Sequence, residues 1–336
     1  MTTWIRRLAL LSAILCLGVV VLGGYTRLSD SGLGCPDWPG CFGHVAPTGS
    51  AEHYATQADV RKAWVEMIHR YAASTLGFLV IVIAALSIRA RREKGVSVAF
   101  SLALLALVVF QGILGMLTVT WLLKPLIVTG HLVGGLTTFG LLLWLWLSLH
   151  ARTRPVDGRS VLAGNIVAEG GARARLWAGL ALGALALQVW LGGWTSSNYA
   201  AVACPDVPKC QGQWVPEANY KDAFVLWRGL GINYAGGVLD HPARVAIHYT
   251  HRLGAVLAGV LLLLAALAAV RGLGPGPRWA GVLVIAALAL QVSIGVYMVL
   301  RAFPLPLAAA HNAGAALLVG ATVFLNRKLR PVADFR

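Results

Sequence analysis

Eight apolar stretches recur along this chain of 336 residues, and each is long enough to cross a lipid bilayer. A membrane-spanning helix needs about 20 predominantly apolar residues. Only 12% of the residues are charged, whereas a soluble domain carries about a quarter. We expect helices because a backbone in lipid must satisfy its own hydrogen bonds, and because the stretches lack the alternation of barrel strands. The predicted spans are 4–24, 64–88, 97–121, 128–149, 174–195, 244–270, 277–300 and 305–326.

The positive charge of the chain, +15 in total, is concentrated on one side of the predicted bundle. Basic residues cluster at both termini and in alternate connections between spans. By the positive-inside rule that side is cytoplasmic, so loops 25–63 and 196–243 face outward. The charge is therefore assigned to orientation, and we expect no nucleic-acid partner. The first span lacks a small-residue cleavage site and no transit peptide precedes it, which favours a bacterial plasma membrane with both termini cytoplasmic.

The sequence contains an internal duplication. CPDWPGC at 35–41 and CPDVPKC at 204–210 share five of their seven letters. Further landmarks repeat in the same order with similar offsets: GGYT at 23–26 with GGWT at 192–195, EMIHR at 66–70 with HYTHR at 248–252, QGILGMLTV at 111–119 with QVSIGVYMV at 291–299, and His131 with His311. Four ordered landmarks of this kind indicate two tandem units of four helices each.

The duplication predicts an all-α membrane protein of eight transmembrane helices, arranged as two tandem four-helix bundles. An even number of spans in each unit gives both units the same orientation, so we expect a pseudo-twofold axis along the membrane normal. Each bundle is expected to hold a site among its facing helices. The predicted division is residues 1–150 for the N-terminal half, 151–173 for a cytoplasmic linker and 174–336 for the C-terminal half.

The two cysteine pairs lie in the outward loops, where an oxidising compartment permits disulfides. We therefore expect the bridges Cys35–Cys41 and Cys204–Cys210. Each bridge is either a simple staple for its loop or a redox-active pair that takes part in electron transfer, and the sequence leaves both alternatives open. Cys16 lies within the first span, where a buried inert thiol is expected.

Four of the nine histidines, His69, His131, His251 and His311, lie at membrane depth and in duplicated positions. Ionisable side chains at that depth are costly and face an interior site. Two imidazoles facing each other across a bundle are typical of axial haem ligation, whereas zinc or copper takes three or four ligands. The pattern therefore predicts one haem-type site in each half, close beneath the cysteine loops. The alternative for each histidine is a hydrogen-bonded core residue.

Two arginines and five further histidines lie near the predicted sites or in the loops and at the helix ends. Arg70 and Arg252 each follow a predicted ligand and are candidates for haem propionate contacts or for anchors at the membrane interface. Of the remaining histidines, four are expected at the surface, and His248 has no assigned role. The expected surface histidines are His44, His53, His150 and His241.

The two halves differ at two positions beside the predicted sites. Glu66 in the first half corresponds to His248, and Arg27 corresponds to Ser196. Glu66 lies three residues before His69, where it would either pair with Arg70 or act on a bound molecule by taking a proton or stabilising positive charge. This asymmetry predicts chemistry in the first half and cofactor binding in the second.

The segment GGYTRLSDSGLGCPDWPGC, the motif EMIHR and the four histidines resemble the haem A synthase family, in its cysteine-containing bacterial type, over nearly the whole chain. This resemblance implies that the C8 methyl group of haem O is oxidised to a formyl group, giving haem A for cytochrome oxidase assembly. It implies water as the oxygen source and two successive hydroxylations. By position, Glu66 would be the catalytic carboxylate, His69 and His131 the ligands of substrate haem O, and His251 and His311 the ligands of the iron of haem b.

The resemblance also suggests partners: haem O synthase and an electron acceptor, in addition to membrane lipid. The first alternative function is a non-enzymatic diheme cytochrome b that carries electrons, which would hold two unmodified b haems and would not need Glu66. A transporter or haem-handling channel is the second alternative, and it is disfavoured because the repeat is parallel and the ligands lie away from the midplane.

Overall fold

The computed structural model describes residues 1–47, 56–93, 95–151 and 166–330. Within those residues the fold is helical, with two isolated β-bridges and no strand. Eight helices are long and apolar enough to cross a membrane, which confirms the predicted all-α, multi-pass fold. They are α1 (Thr2–Leu28), α2 (Gln57–Arg89), α3 (Val98–Thr120), α4 (Pro125–Ala151), α5 (Ile166–Ser197), α6 (His241–Gly272), α7 (Pro275–Leu300) and α8 (Leu305–Lys328).

α2 begins seven residues and α6 three residues before the predicted apolar stretch, and polar residues cap both helices. At α2, the Thr56 side chain accepts a hydrogen bond from the Asp59 amide, and Asp59 accepts one from the Thr56 amide, which forms a capping box. At α6, Asp240 accepts a hydrogen bond from the Ala243 amide. Both helices therefore extend beyond the predicted starts at 64 and 244. Most of the predicted linker lies outside the described residues, and its last part is already helical in α5.

Each half closes into a bundle of four helices. In the first half α1 packs on α2, α2 on α3, α3 on α4 and α4 on α1, and α5 to α8 repeat this order. The halves meet through α4 with α8, α4 with α5 and α1 with α8. A twofold axis between α4 and α8 would produce this pairing, although the axis along the membrane normal stays a prediction. Gly140 faces Val323 and Gly320 faces Phe139 at the crossing of α4 and α8, where small residues allow close approach.

Left-handed backbone conformations occur at equivalent positions of the two halves. Eight non-glycine residues in the described part have φ between 50° and 60°, the left-handed region that L residues seldom adopt. They fall into four pairs at the offsets of the sequence repeat: Asp30 with Tyr199, Phe42 with Gln211, Leu122 with Ala302, and Leu123 with Phe303. The ends of α1 and α5, the cysteine loops, and the α3–α4 and α7–α8 turns therefore follow matching paths. These segments all lie at one end of the molecule, called here the disulfide end.

Candidate functional sites

The first site is a pair of histidines on facing helices. His69 on α2 and His131 on α4 have ring centroids 6.4 Å apart and planes at 87°. Two histidine–metal bonds of about 2.0–2.1 Å, extended by about 1.1 Å to each ring centre, would separate the centroids by about 6.3 Å. Within the described residues no group of three or more His, Cys, Asp or Glu surrounds this point. The distance between the two ring centroids therefore matches that of two histidines bound to one metal ion.

A glycine on the preceding helix lies against each of the four intramembrane histidines. If a Cβ were added to Gly23 it would lie 2.7 Å from the His69 ring, which real Cβ atoms do not tolerate. The repeated GG and QxxxG motifs supply the same small surface at each of the four positions. An added Cβ would lie 3.4 Å from the His131 ring at Gly115, 3.2 Å from the His251 ring at Gly192 and 3.0 Å from the His311 ring at Gly295. Each imidazole is therefore packed on the backbone of a neighbouring helix.

The histidine pair of the second half has glutamine partners. Gln188 Nε2 lies 3.0 Å from His251 Nδ1 and donates to the His251 carbonyl at 3.0 Å. Gln291 Nε2 lies 3.2 Å from His311 Nε2. In the first half, Val19 stands at the position of Gln188, and both amide atoms of Gln111 are buried without a hydrogen-bond partner in the described residues. The second half therefore orients its rings by glutamine side chains, and no such side-chain contact to His69 or His131 occurs in the described residues of the first half.

These glutamines were not among the residues singled out from the sequence. Gln291 stands in the repeated QxxxG motif, which was a usable signal. Gln188 gives no such signal, because its repeat counterpart is a valine.

A cavity of about 860 Å³ lies beside His69 and His131. Its volume falls within the roughly 300–1,000 Å³ of ligand pockets in proteins. The wall near the disulfide end is polar and charged, and the opposite part is mainly apolar. The polar part includes Arg27, Asp37, His44, Glu66 and Arg70, and the apolar part includes Cys16, Val20, Leu76, Val108 and Leu132. The second half also contributes wall residues, among them Ser196 and Asn312.

Glu66 is a buried carboxylate in this wall, with 4% of its surface exposed. One oxygen accepts a hydrogen bond from Arg70 Nη2 at 2.6 Å, and the other accepts one from the Cys35 amide at 2.9 Å. The sequence left pairing with Arg70 open as an alternative to a chemical role, and the structure contains that pair. In the second half, His248 Nε2 accepts instead from Arg252 Nε at 3.3 Å. Glu66 thus connects the cavity wall to the first cysteine loop.

The two cysteine loops have the same internal architecture. The bonds Cys35–Cys41 and Cys204–Cys210 are both formed. Asp37 accepts hydrogen bonds from the amides of Phe42 at 2.6 Å and Gly43 at 2.8 Å. In the second loop Asp206 accepts from the amides of Gln211 at 2.6 Å and Gly212 at 2.8 Å. In each loop, the aspartate therefore binds the two residues that directly follow the second cysteine.

The arginines that follow the histidines hold these loops in place. Arg70 Nη1 donates to the carbonyls of Asp37 at 2.9 Å and Gly40. Arg252 donates to the carbonyls of Asp206 at 2.7 Å and Lys209 at 2.8 Å. Arg70 also lines the cavity. Their predicted propionate contacts stay a prediction, since much of each guanidinium is occupied by the loop.

The other histidines lie in mixed environments. His44 and His241 are exposed, as predicted, and His44 also lines the cavity. His150 was predicted to be a surface residue, but it is half-buried and stacks on Trp146 with centroids 5.5 Å apart. His53 lies outside the described residues. Cys16 is buried as a free thiol, which agrees with its predicted state.

Together these features define a multi-pass helical membrane protein with two histidine pairs, one of them beside a large cavity with a buried carboxylate. The chain belongs to the COX15-CtaA family, described as cytochrome oxidase assembly protein, whose sequence profile matches residues 6–323. This result confirms the family predicted from the sequence motifs.

Curated relatives match the chain over nearly its whole length. The "Heme A synthase" of Shewanella oneidensis is 42% identical over 332 residues, which are 96% of this chain and 95% of that protein. The "Heme A synthase" of Caulobacter vibrioides is 29% identical, covering 95% of this chain and 94% of the relative. That of Paracoccus denitrificans is 28% identical, covering 91% and 82%.

Proposed function

We propose that this protein converts haem O into haem A during cytochrome oxidase assembly. The printed names of the relatives and of the family support this function. The observation that carries it is the His69–His131 pair, spaced for one iron ion on the wall of a large cavity that also contains the buried Glu66. An electron carrier would also need a cavity for its haem, but it would not need a carboxylate beside that cavity.

The reaction oxidises the C8 methyl group of haem O to a formyl group. Each of two successive hydroxylations takes the oxygen of one water and removes two electrons and two protons. The resulting gem-diol loses one water to give the aldehyde. The whole conversion therefore consumes one water and delivers four electrons to an acceptor and four protons to bases or solvent.

In this proposal His69 and His131 bind the iron of haem O from its two faces. With both axial positions occupied, the iron has no open position for binding oxygen. Oxidation then removes electrons from the macrocycle, and water attacks the electron-poor methyl carbon. Glu66 either takes a proton from that water or stabilises the positive charge. Its fixed hydrogen bonds to Arg70 and the Cys35 amide orient the carboxylate for this role.

The distribution of polar and apolar residues in the cavity wall supports one orientation of haem O. The apolar part suits the isoprenoid side chain, and the polar part suits the carboxylate edge of the ring. Ser74 on α2 and Gly112 on α3 line the cavity, and both are exposed. Their repeat counterparts are the larger Val256 and Val292. The side of the cavity formed by α2 and α3 is therefore the proposed route by which a lipid-soluble haem enters the first half.

The second half is proposed to hold haem b between His251 and His311. The residues fit such a group, because both rings lie against glycines and His311 Nδ1 is buried without a hydrogen-bond partner in the described residues. When bound, haem b supplies a one-electron redox centre. Gln188 and Gln291 hold the imidazoles in orientation.

The proposed setting is the bacterial plasma membrane, with both termini cytoplasmic. The arrangement of the basic residues supports this orientation, since Arg6, Arg7, Arg327 and Lys328 lie on the helix ends opposite the disulfide end. Haem O synthase is the proposed supplier of substrate. An electron acceptor completes the reaction.

Extraction of pigment from the purified protein tests the proposed function. We expect chromatography to resolve haem O or haem A together with haem B when the protein is produced with a supply of haem O. Haem B alone, under the same supply, would favour the diheme electron carrier instead. Time courses with added haem O then separate storage of the substrate from its conversion.

A further inference from the structure

Arg27 is a cationic residue of the cavity wall with no role in the function proposed above. It lies in the last turn of α1, four residues after Gly23 and thus on the same helix face. One turn of helix is about 5.4 Å long. Because Gly23 touches the His69 ring, Arg27 lies about one turn above that ring, toward the disulfide end.

The guanidinium of Arg27 is held rigidly from the second half of the chain. Nη2 donates to the Ser196 carbonyl at 2.8 Å, and the group stacks on the Tyr199 ring at 4.2 Å. Nη1 lies 3.6 Å from Asp30, whose side chain is 61% exposed, while the Arg27 side chain is 13% exposed. Nε is buried and has no hydrogen-bond partner in the described residues. A cation fixed in this way therefore forms part of the cavity wall.

We propose that Arg27 binds a carboxylate of the molecule in this cavity, namely one propionate of the substrate haem. This inference rests on the proposed function. A guanidinium binds a carboxylate through a charge-assisted hydrogen bond. Arg70 is the less available cation, because it is bonded to Glu66 and to carbonyls of the cysteine loop.

The duplication makes this subsite specific to the first half. The repeat counterpart of Arg27 is Ser196, whose carbonyl is the acceptor that positions Arg27. One copy of the repeated position therefore supplies the cation and the other copy orients it. This arrangement gives the first half a carboxylate subsite at a position where the second half has a hydroxyl group.

The test is a double-mutant cycle between the protein and its ligand. Binding of haem O and of its propionate dimethyl ester to the purified protein is measured by the absorption of the bis-histidine complex, in wild type and in Arg27→Gln. We expect Arg27→Gln to weaken binding of the free acid by about tenfold or more. Both proteins should bind the ester within about twofold of each other. Arg301→Gln, an exposed cation at the same end of the molecule, is the matched control and should bind the acid like wild type.

Two results would overturn the inference. One is an equal loss of affinity for acid and ester in Arg27→Gln, which would make Arg27 a structural residue. The other is a wild-type protein that binds acid and ester alike. If Arg27→Gln is unstable, Arg27→Lys, which keeps the charge, permits the same comparison. We expect its preference for the free acid over the ester to lie between those of wild type and Arg27→Gln. Conversion of haem O to haem A by wild type is scored separately, so loss of the subsite and loss of the proposed function give different results.

Discussion

Glu66 and His248 occupy the same position in the repeat and have different partners. Glu66 accepts from the Cys35 amide and from Arg70, whereas His248 accepts from Arg252. The carboxylate therefore carries a structural task and borders the cavity at the same time. A substitution that separates these tasks must keep a hydrogen-bond acceptor for the Cys35 amide and remove the negative charge.

Glu66→Gln meets that requirement, because an amide oxygen still accepts a hydrogen bond. We expect the variant to fold and to retain haem O, while the yield of haem A falls by about 10²-fold or more, as expected for loss of a general base. The measurement is chromatography of extracted pigments, with thermal unfolding as the check on folding. His248→Gln at the counterpart position should leave the yield largely intact. Wild-type amounts of haem A in Glu66→Gln would remove Glu66 from the mechanism.

Protonation of Asp37 is expected to destabilise the first cysteine loop at acid pH. Partial burial acts to raise the pKa of its carboxyl, but the amides of Gly43 and Phe42 and the charge of Arg70 outweigh burial and lower the pKa below its usual value. A carboxyl with a lowered pKa in the folded state stabilises the fold above its unfolded pKa of about 3.9, and this contribution is lost as the pH falls through the lower folded value. We expect amide protection in residues 35–44 to fall in that acid range.

Hydrogen exchange, corrected for the intrinsic rate at each pH, measures this effect. Asp37→Asn should lower the protection of residues 35–44 already at neutral pH and abolish the acid dependence at the Phe42 and Gly43 amides, which are the ones bonded to Asp37. Asp206→Asn is the matched control, because it should affect residues 204–213 and leave the first loop unchanged. Equal pH dependence in wild type and Asp37→Asn would contradict the assignment.

At the scale of helices, the sites depend on how closely α1 approaches α2 and α3 approaches α4. Gly23 on α1 is the tightest of the four glycine contacts, with an added Cβ only 2.7 Å from the His69 ring. The next residue, Gly24, faces Asn312 on α8. The two glycines of the repeated motif therefore set two contacts at once, one to the histidine of the same half and one to the other half.

Gly23→Ala should displace the His69 ring and reduce haem occupancy in the first half. Overpacking of this kind costs about 1–3 kcal/mol, or roughly fivefold or more in affinity if the bound state bears the strain. Haem O binding followed by absorption measures the loss. Gly18→Ala on the same helix is the control, because nothing lies within 4 Å of the added Cβ. Unchanged binding in Gly23→Ala would show that the ring can shift without cost.

The elements were predictable from the sequence to different degrees. Apolar length alone located all eight spans. The repeated histidines predicted sites on α2, α4, α6 and α8, and the structure brings His69 and His131 close together. The early start of α2 required the Thr56 capping box, because that turn is polar. The glycine contacts, Gln188 and the orientation of Arg27 depend on the rotation of each helix about its axis. In helices that are apolar on every side, the pattern of the sequence does not determine this rotation.

At the scale of the whole molecule, the two halves are linked at the disulfide end as well as through α1, α4, α5 and α8. Lys124, in the turn between α3 and α4, is fully buried by the long loop of the second half. Its ammonium donates to the carbonyls of Arg228 at 3.0 Å and Gly229, and lies 3.4 Å from the centre of the Trp227 ring. The Tyr234 amide also donates to the Leu122 carbonyl at 3.0 Å. The loop of one half is thus anchored on the other.

Lys124→Met tests this anchor, because it keeps the length of the side chain and removes the charge and its donors. Two carbonyls would lose their partner, which costs about 1–3 kcal/mol. We expect a lower thermal unfolding temperature and faster proteolysis within residues 224–239. The haem b proposed to bind between His251 and His311 should be retained. Lys221→Met, an exposed lysine of the same loop, should change neither property. Lys124→Met could instead unfold at the wild-type temperature with its loop cleaved no faster than in wild type. The halves would then be held together by their helices alone, and the loop would not contribute to stability.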